Sequence, residues 1–157
     1  MEWNLRTPLE YTTLWRSFLR LAKKSIFVAS LGGGNVTAED AWAFAHHWIA
    51  AWNSHDLGAI LSLYDDAVEL TSPVAARVLA RSDGKVVGKE ELRAYFRRGL
   101  EAFPQLRFEL EDVLCGLSSV VLYYKHQSAS RTAEFMELSK QGKVVRVVAN
   151  YSVPRPS

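Results

Sequence analysis

The feature that most constrains this chain is a change of period near its middle. From Leu106 onward apolar residues recur at every second position: Leu106, Phe108 and Leu110 alternate with Arg107, Glu109 and Glu111. Three more runs follow over 119–127, 132–139 and 143–152. Period two is the pattern of strands with one face packed and one face wet. Lys140-Gln141-Gly142 joins the last two runs as a tight hairpin turn, so those strands are antiparallel neighbours. A sheet patterned this way needs another layer to cover its apolar face.

That layer lies upstream, where the period is helical. Thr37 and Asp40 form a Thr-x-x-Asp capping box, and Trp42, Ala45, Trp48, Ile49 and Trp52 follow at spacings of three and four. Asn53-Ser54-His55 breaks this helix. Asp56 then caps a second, shorter helix through Leu57, Ile60, Leu61 and Tyr64, which Asp65-Asp66 ends. Val68, Leu70 and Ser72 alternate as a strand that Pro73 stops, and residues 74–84 form a mobile loop with a turn at Ser82-Asp83-Gly84-Lys85. A third helix after Gly88 carries the stripe Leu92, Tyr95, Phe96, Leu100 and Phe103, and Pro104 ends it. The order predicts an α+β fold: three helices packed on a curved, mostly antiparallel sheet that encloses a pocket.

Charge and composition narrow the function classes. The chain has 157 residues, enough for one core. Residues 1–36 carry five basic against two acidic side chains, and the rest fourteen against fifteen. The body, placed at 37–152 with a tail at 153–157, is therefore near neutral and lacks the basic face that a phosphate backbone requires. Residues 1–36 are read as an appended arm with a short amphipathic helix over Tyr11, Leu14, Trp15, Phe18 and Ala22, jointed at Gly32-Gly33-Gly34. The apolar stripe is too short to favour a membrane surface. Cys115 is the single cysteine, which fits a reducing cytoplasm. No apolar run approaches the roughly 20 residues needed to span a bilayer.

Trp48-Ile49-Ala50-Ala51-Trp52-Asn53-Ser54-His55-Asp56-Leu57, then Leu63-Tyr64-Asp65-Asp66-Ala67 and Ser72-Pro73, resemble the opening of the NTF2-like superfamily, in particular its SnoaL-like and ketosteroid-isomerase-like domains. Gly88-Lys89, Leu92 and Tyr95-Phe96 resemble its third helix, and Gly142 to Val145 with Ala149-Asn150-Tyr151 its closing strand. The resemblance covers 37–152 and implies a cone-shaped fold around a small-molecule pocket, with dimerisation through the outer sheet face, where the strand alternation puts Val121, Tyr123, Phe135, Val144 and Val148. It does not imply one chemistry, because the superfamily holds isomerases, cyclases, dehydratases, epoxide hydrolases and proteins without catalysis. The isomerase pattern places an aspartate base where this chain has Ser72 and a tyrosine donor where it has Trp48. Its third group, a carboxylic acid kept protonated by an apolar site, matches Glu134.

Glu134 is accordingly the leading candidate. It shares a strand face with Met136 and Leu138, where an ionised carboxylate loses hydration and its pKa rises. His126 shares a face with Val120, Leu122 and Tyr124, and a turn centred near Ala129–Arg131 would set it opposite Glu134 as an acid–base pair. A slip of one residue would put Lys125 there instead. Trp48, Trp52, Tyr64, Ser72, Tyr124, Met136 and Tyr151 are the expected lining of a substrate pocket. His46 and His47 point about 100° apart on their helix and lack partners at metal spacing, so no metal site is expected. Asp65-Asp66 reads better as a solvated turn than as a catalytic pair. The expected function is binding of a small, mainly apolar or partly polar organic molecule. The chemistry is either isomerase-, dehydratase- or cyclase-type acid–base work by Glu134 with His126 and no cofactor, or none, in a carrier or a dimerisation domain. A homodimer in the cytoplasm, without nucleic acid, completes the expectation.

Overall fold

The computed structural model describes residues 35–154; the expected arm before residue 35 and the last three residues of the tail lie outside them. Helix α1 (Ala38–Ser54) starts as the sequence dictates. The Thr37 hydroxyl accepts from Asp40 N at 3.1 Å, while Asp40 Oδ2 accepts from Thr37 N at 3.1 Å, so two end donors are satisfied reciprocally. Its inner face buries Ala41, Phe44, Ala45, Trp48, Ala51 and Trp52. His55 ends it in a left-handed conformation (φ 58°). Helix α2 (Leu57–Leu61) is capped by Asp56, which accepts from Ala59 N at 3.0 Å.

Two expectations fail in the next segment. Helix α2 stops at Leu61, and Tyr64 opens strand β1 (Tyr64–Thr71) instead of closing the helix. Tyr64 pairs with Val144 at the start of the last strand, and a bulge before Glu69 absorbs the acidic pair. Asp65 accepts from Ala67 N at 3.0 Å, and Asp66 bonds Lys89 Nζ at 2.8 Å on the surface, so neither faces the interior site. Residues 74–84, expected to be a loop, begin with helix α3 (Pro73–Val78). Ser72 caps it by accepting from Val74 N and Ala75 N, and Pro73 sits at its first position, where a missing N–H costs nothing. The described residues thus contain four helices, not three. Strand β2 (Lys85–Val87) follows Gly84 and pairs with β1.

Helix α4 (Lys89–Ala102) buries Leu92 and Phe96; Phe103 falls beyond its end and is exposed, off the stripe where it was expected. Strands β3 (Phe108–Cys115), β4 (Ser119–His126), β5 (Arg131–Leu138) and β6 (Val144–Tyr151) complete the chain. The sheet runs β2-β1-β6-β5-β4-β3, with β1 and β6 parallel and every other pair antiparallel. It is curved and does not close. The helices cover its concave face: α1 lies on β3 and α4 on β1 and β2. Val144 was expected on the outer face and is fully buried. A bulge explains this, since Glu137 pairs with Arg146 but Leu138 pairs with Val144, leaving Val145 as the extra residue.

The capping box gives a direct test of the start of α1. Thr37→Ala should lower stability by about 1 kcal/mol in urea denaturation while the far-UV spectrum of the folded state stays unchanged.

Candidate functional site

Among the described residues one buried carboxyl lies on the concave face of the sheet. Strand β5 turns Thr132, Glu134, Met136 and Leu138 inward. Glu134 keeps only 6% of its surface exposed. The Tyr124 hydroxyl donates to its Oε2 at 2.6 Å, a charge-assisted length. Burial pushes the carboxyl pKa up to about 7, and the Tyr124 bond works in the opposite direction by favouring the charged form.

The expected face of His126 is correct in parity, but its partner is not. The β4–β5 turn is centred on Ser128, closed by His126 N donating to Ser130 O at 2.9 Å, with Ala129 in a left-handed conformation (φ 64°). Glu134 therefore stands opposite Leu122, and Tyr124 opposite Thr132. The error in register was an even number of residues, so every side chain stays on its predicted face while the neighbour changes. His126 Nε2 lies 2.8 Å from Thr132 Oγ1, and its ring packs edge-on against Phe108 at 4.9 Å between centroids. Burial lowers its pKa. It is the hydroxyl of Tyr124, not an imidazole, that holds Glu134.

Around this centre the residues expected to line a pocket fall into a group of packed rings and a group of hydroxyls. Trp48 and Phe108 stack at 5.7 Å, Phe108 and Tyr124 lie 4.7 Å apart, and Trp52 meets Phe96 edge-on at 4.7 Å. Trp48 Nε1 donates to the Tyr64 hydroxyl at 2.8 Å. Trp52 Nε1 turns toward the same oxygen without completing a bond and is buried with no partner. Met136 is fully buried among them. The group of hydroxyls consists of Ser72, whose Oγ lies 3.4 Å from the Tyr151 hydroxyl, together with Tyr151 and Tyr95. Burial raises the pKa of all four tyrosines, Tyr64, Tyr95, Tyr124 and Tyr151, and the charge of Glu134 raises each of them further. One carboxyl thus sits among four phenolic hydroxyls.

Tyr95 was read from the sequence only as part of a helix stripe. Its hydroxyl was the missed signal, because a tyrosine at the edge of an apolar stripe can keep its ring in the core and its oxygen at the rim. Among the described residues no group of three His, Cys, Asp or Glu side chains could hold a metal ion, and no helix is long and apolar enough to cross a membrane.

A curved, mostly antiparallel sheet with helices on its concave face is a fold shared with NTF2-like proteins. One such protein from Burkholderia xenovorans superposes with a TM-score of 0.59 at 21% identity, over 76% of this chain and 88% of that one. Residues 45–151 match the model of the SnoaL-like domain, and the chain belongs to that family. It is 35% identical to a SnoaL-like protein of unknown function from Burkholderia thailandensis, with a TM-score of 0.73 over 76% of this chain and 99% of that one. A protein from Agrobacterium tumefaciens, provisionally assigned as an isomerase of the SnoaL-like family, shares the fold at 15% identity and a TM-score of 0.58, over 72% and 97% of the two chains. No curated protein sequence matches the chain.

The raised pKa of Glu134 has a definite consequence for stability. The folded state binds the proton more tightly than the unfolded chain, whose carboxyl titrates near 4.5. The stabilisation from the neutral acid is complete below pH 4.5 and is lost as pH rises through about 7. Urea denaturation from pH 4.5 to 8 should show the wild type losing up to about 3 kcal/mol relative to Glu134→Gln. Parallel pH curves for the two proteins would contradict the buried carboxyl.

Proposed function

We propose that the protein binds a small, mainly apolar organic molecule carrying a polar end, and that it moves a proton on this molecule with Glu134 as the acid–base group. The observation that carries this reading is the buried Glu134 carboxyl, held by Tyr124 on the concave face with a pKa of about 7. A group titrating near the working pH can both take and return a proton. In this reading Tyr124 positions the carboxyl, and the hydroxyls of Ser72, Tyr95 and Tyr151 orient the polar end of the ligand. Trp48, Trp52, Tyr64 and Met136 form the wall against its apolar body. His126 contributes to that wall beside Tyr124 and does not pair with the carboxyl. The reaction class is isomerase-, dehydratase- or cyclase-type, and the provisional assignment of a structural neighbour as an isomerase supports it. No residue of this scheme calls for a cofactor. The unpaired, exposed Cys115 suits a reducing compartment, so the cytoplasm is the proposed location.

Proton abstraction beside a carbonyl can be read without knowing the substrate. Small cyclic ketones labelled with deuterium at the α-carbon should lose the label in water, followed by proton NMR, at a rate that rises with pH and levels off above about 7. Glu134→Gln keeps the shape and removes the proton carrier, so the rate should fall by at least about 100-fold while binding persists. A second reading, a carrier or an association domain without chemistry, is favoured by the close ring packing of Trp48, Trp52, Phe96 and Phe108. Equal washout by wild type and variant would select it.

We also propose that two copies associate through the outer sheet face. Leu114, Val121, Phe135 and Val148 lie directly opposite one another across four strands and form a transverse apolar row. Tyr123 lies beside this row on β4, and Arg146, over the Phe135 ring at 5.2 Å and bonded to Glu137 at 3.0 Å, borders it. Val121→Asp should convert a dimer mass in light scattering to a monomer mass, and a monomeric wild type at about 10 µM would refute the proposal.

A further inference from the structure

Where β4 turns into β5 the surface folds into a concavity of about 390 Å3, which Glu134 does not line. Its volume lies in the range that holds small organic molecules. Its walls are unequally charged: Arg107, Lys125 and Arg131 stand against a single carboxylate, Glu109. Two of the cations are fixed by partners on β3. Lys125 Nζ lies 3.0 Å from Glu109, and the Arg131 guanidinium forks onto both oxygens of Glu111 at 2.9 and 3.3 Å. Arg107 is different. Its backbone N–H is tied to Gln127 Oε1 at 3.1 Å, yet its guanidinium has no ion-pair or hydrogen-bond partner among the described residues. The half-buried His126 ring contributes to the concavity, with Nε2 committed to Thr132.

These features belong together. Ala129, at φ 64° in the tight turn, is part of the lining. The β3 carboxylates hold Lys125 and Arg131 in place without neutralising the third cation. Guanidinium groups present parallel donors that match carboxylate and phosphate oxygens. Solvated cross-strand pairs alone would explain Lys125 and Arg131, but not an uncompensated arginine over a concavity of this size.

We propose that this concavity is a binding site for a small molecule bearing an oxyanion, a carboxylate or a phosphate, with Arg107 as its principal anchor, Lys125 and Arg131 as flanking cations and His126 beside it. Glu134 and Tyr124 are not among its lining, His126 alone being common to it and the wall beside Tyr124, and Lys125 lies four residues along β4 from Val121, clear of the apolar row.

The test titrates the isotope-labelled protein with inorganic phosphate and, separately, with succinate, exchanging chloride to hold ionic strength constant. The His126 ring C–H and the backbone amides of Gln127 and Ala129 are followed by NMR. Saturable shifts confined to these residues are expected for at least one of the two probes, and which one binds separates the phosphoryl from the carboxylate source. Arg107→Gln should weaken that binding about tenfold with an unchanged melting temperature, while Arg146→Gln, remote from the concavity, leaves it intact. Shifts that remain linear to about 50 mM with both probes, that spread over all surface cations, or that persist unchanged in Arg107→Gln would overturn the proposal and leave an adventitious ion only.

Discussion

The last strand is the joint of this molecule. Strand β6 lies between β1, with which it runs parallel, and β5, with which it runs antiparallel. Its Val144 and Val147 are fully buried, and it couples a half built from residues near the start of the domain to a half built from the hairpins. The parallel β1–β6 pairing joins Tyr64 to Val144. Such long-range pairing costs loop entropy before it returns any contact. Tyr64, at this seam, is also the residue that satisfies Trp48 Nε1. The aromatic wall of the site therefore rests on the same pairing that closes the sheet.

A polar centre on the concave face is the second constraint. Among the described residues Glu134 has no cationic partner, and its one direct bond is to Tyr124. The surrounding phenols are pushed toward their neutral forms by burial and by the carboxylate charge together. Glu134 thus titrates near neutrality inside a set of hydroxyls that do not. In the proposed reading, that asymmetry is what would let the site carry a proton rather than hold a fixed charge.

Local signals were the legible part of the fold. The Thr37–Asp40 box, the cap at Asp56, the helix start after Gly88, and the alternation of β4 and β5 each depend on a few neighbouring residues, and each appears as read. The failures are of two kinds. Ser72-Pro73 was taken as the end of a strand, although a serine cap followed by proline is also a helix start; with six residues, α3 is too short to show a period. The bulges near Asp65–Ala67 and at Val145 are hidden because the residues around them, acidic in one case and consecutive valines in the other, suit either alternation. In the site, the inward placement of Glu134 followed from the strand pattern, but its partner did not. The hairpin residues Gln127–Ser130 contain no glycine or proline to mark where the turn is centred.

That turn shows how loosely the neighbour of a site can be tied to its scaffold. Sliding β4 past β5 by two residues would set Tyr124 directly across from Glu134, and by four would set His126 there, as the observed pairing of Leu122 with Glu134 implies. Every such even slide leaves valine, leucine and tyrosine on the faces they already occupy. A change in where this hairpin turns is therefore a route by which descendants of one core could exchange a phenol for an imidazole or an aliphatic neighbour without altering any residue that packs it.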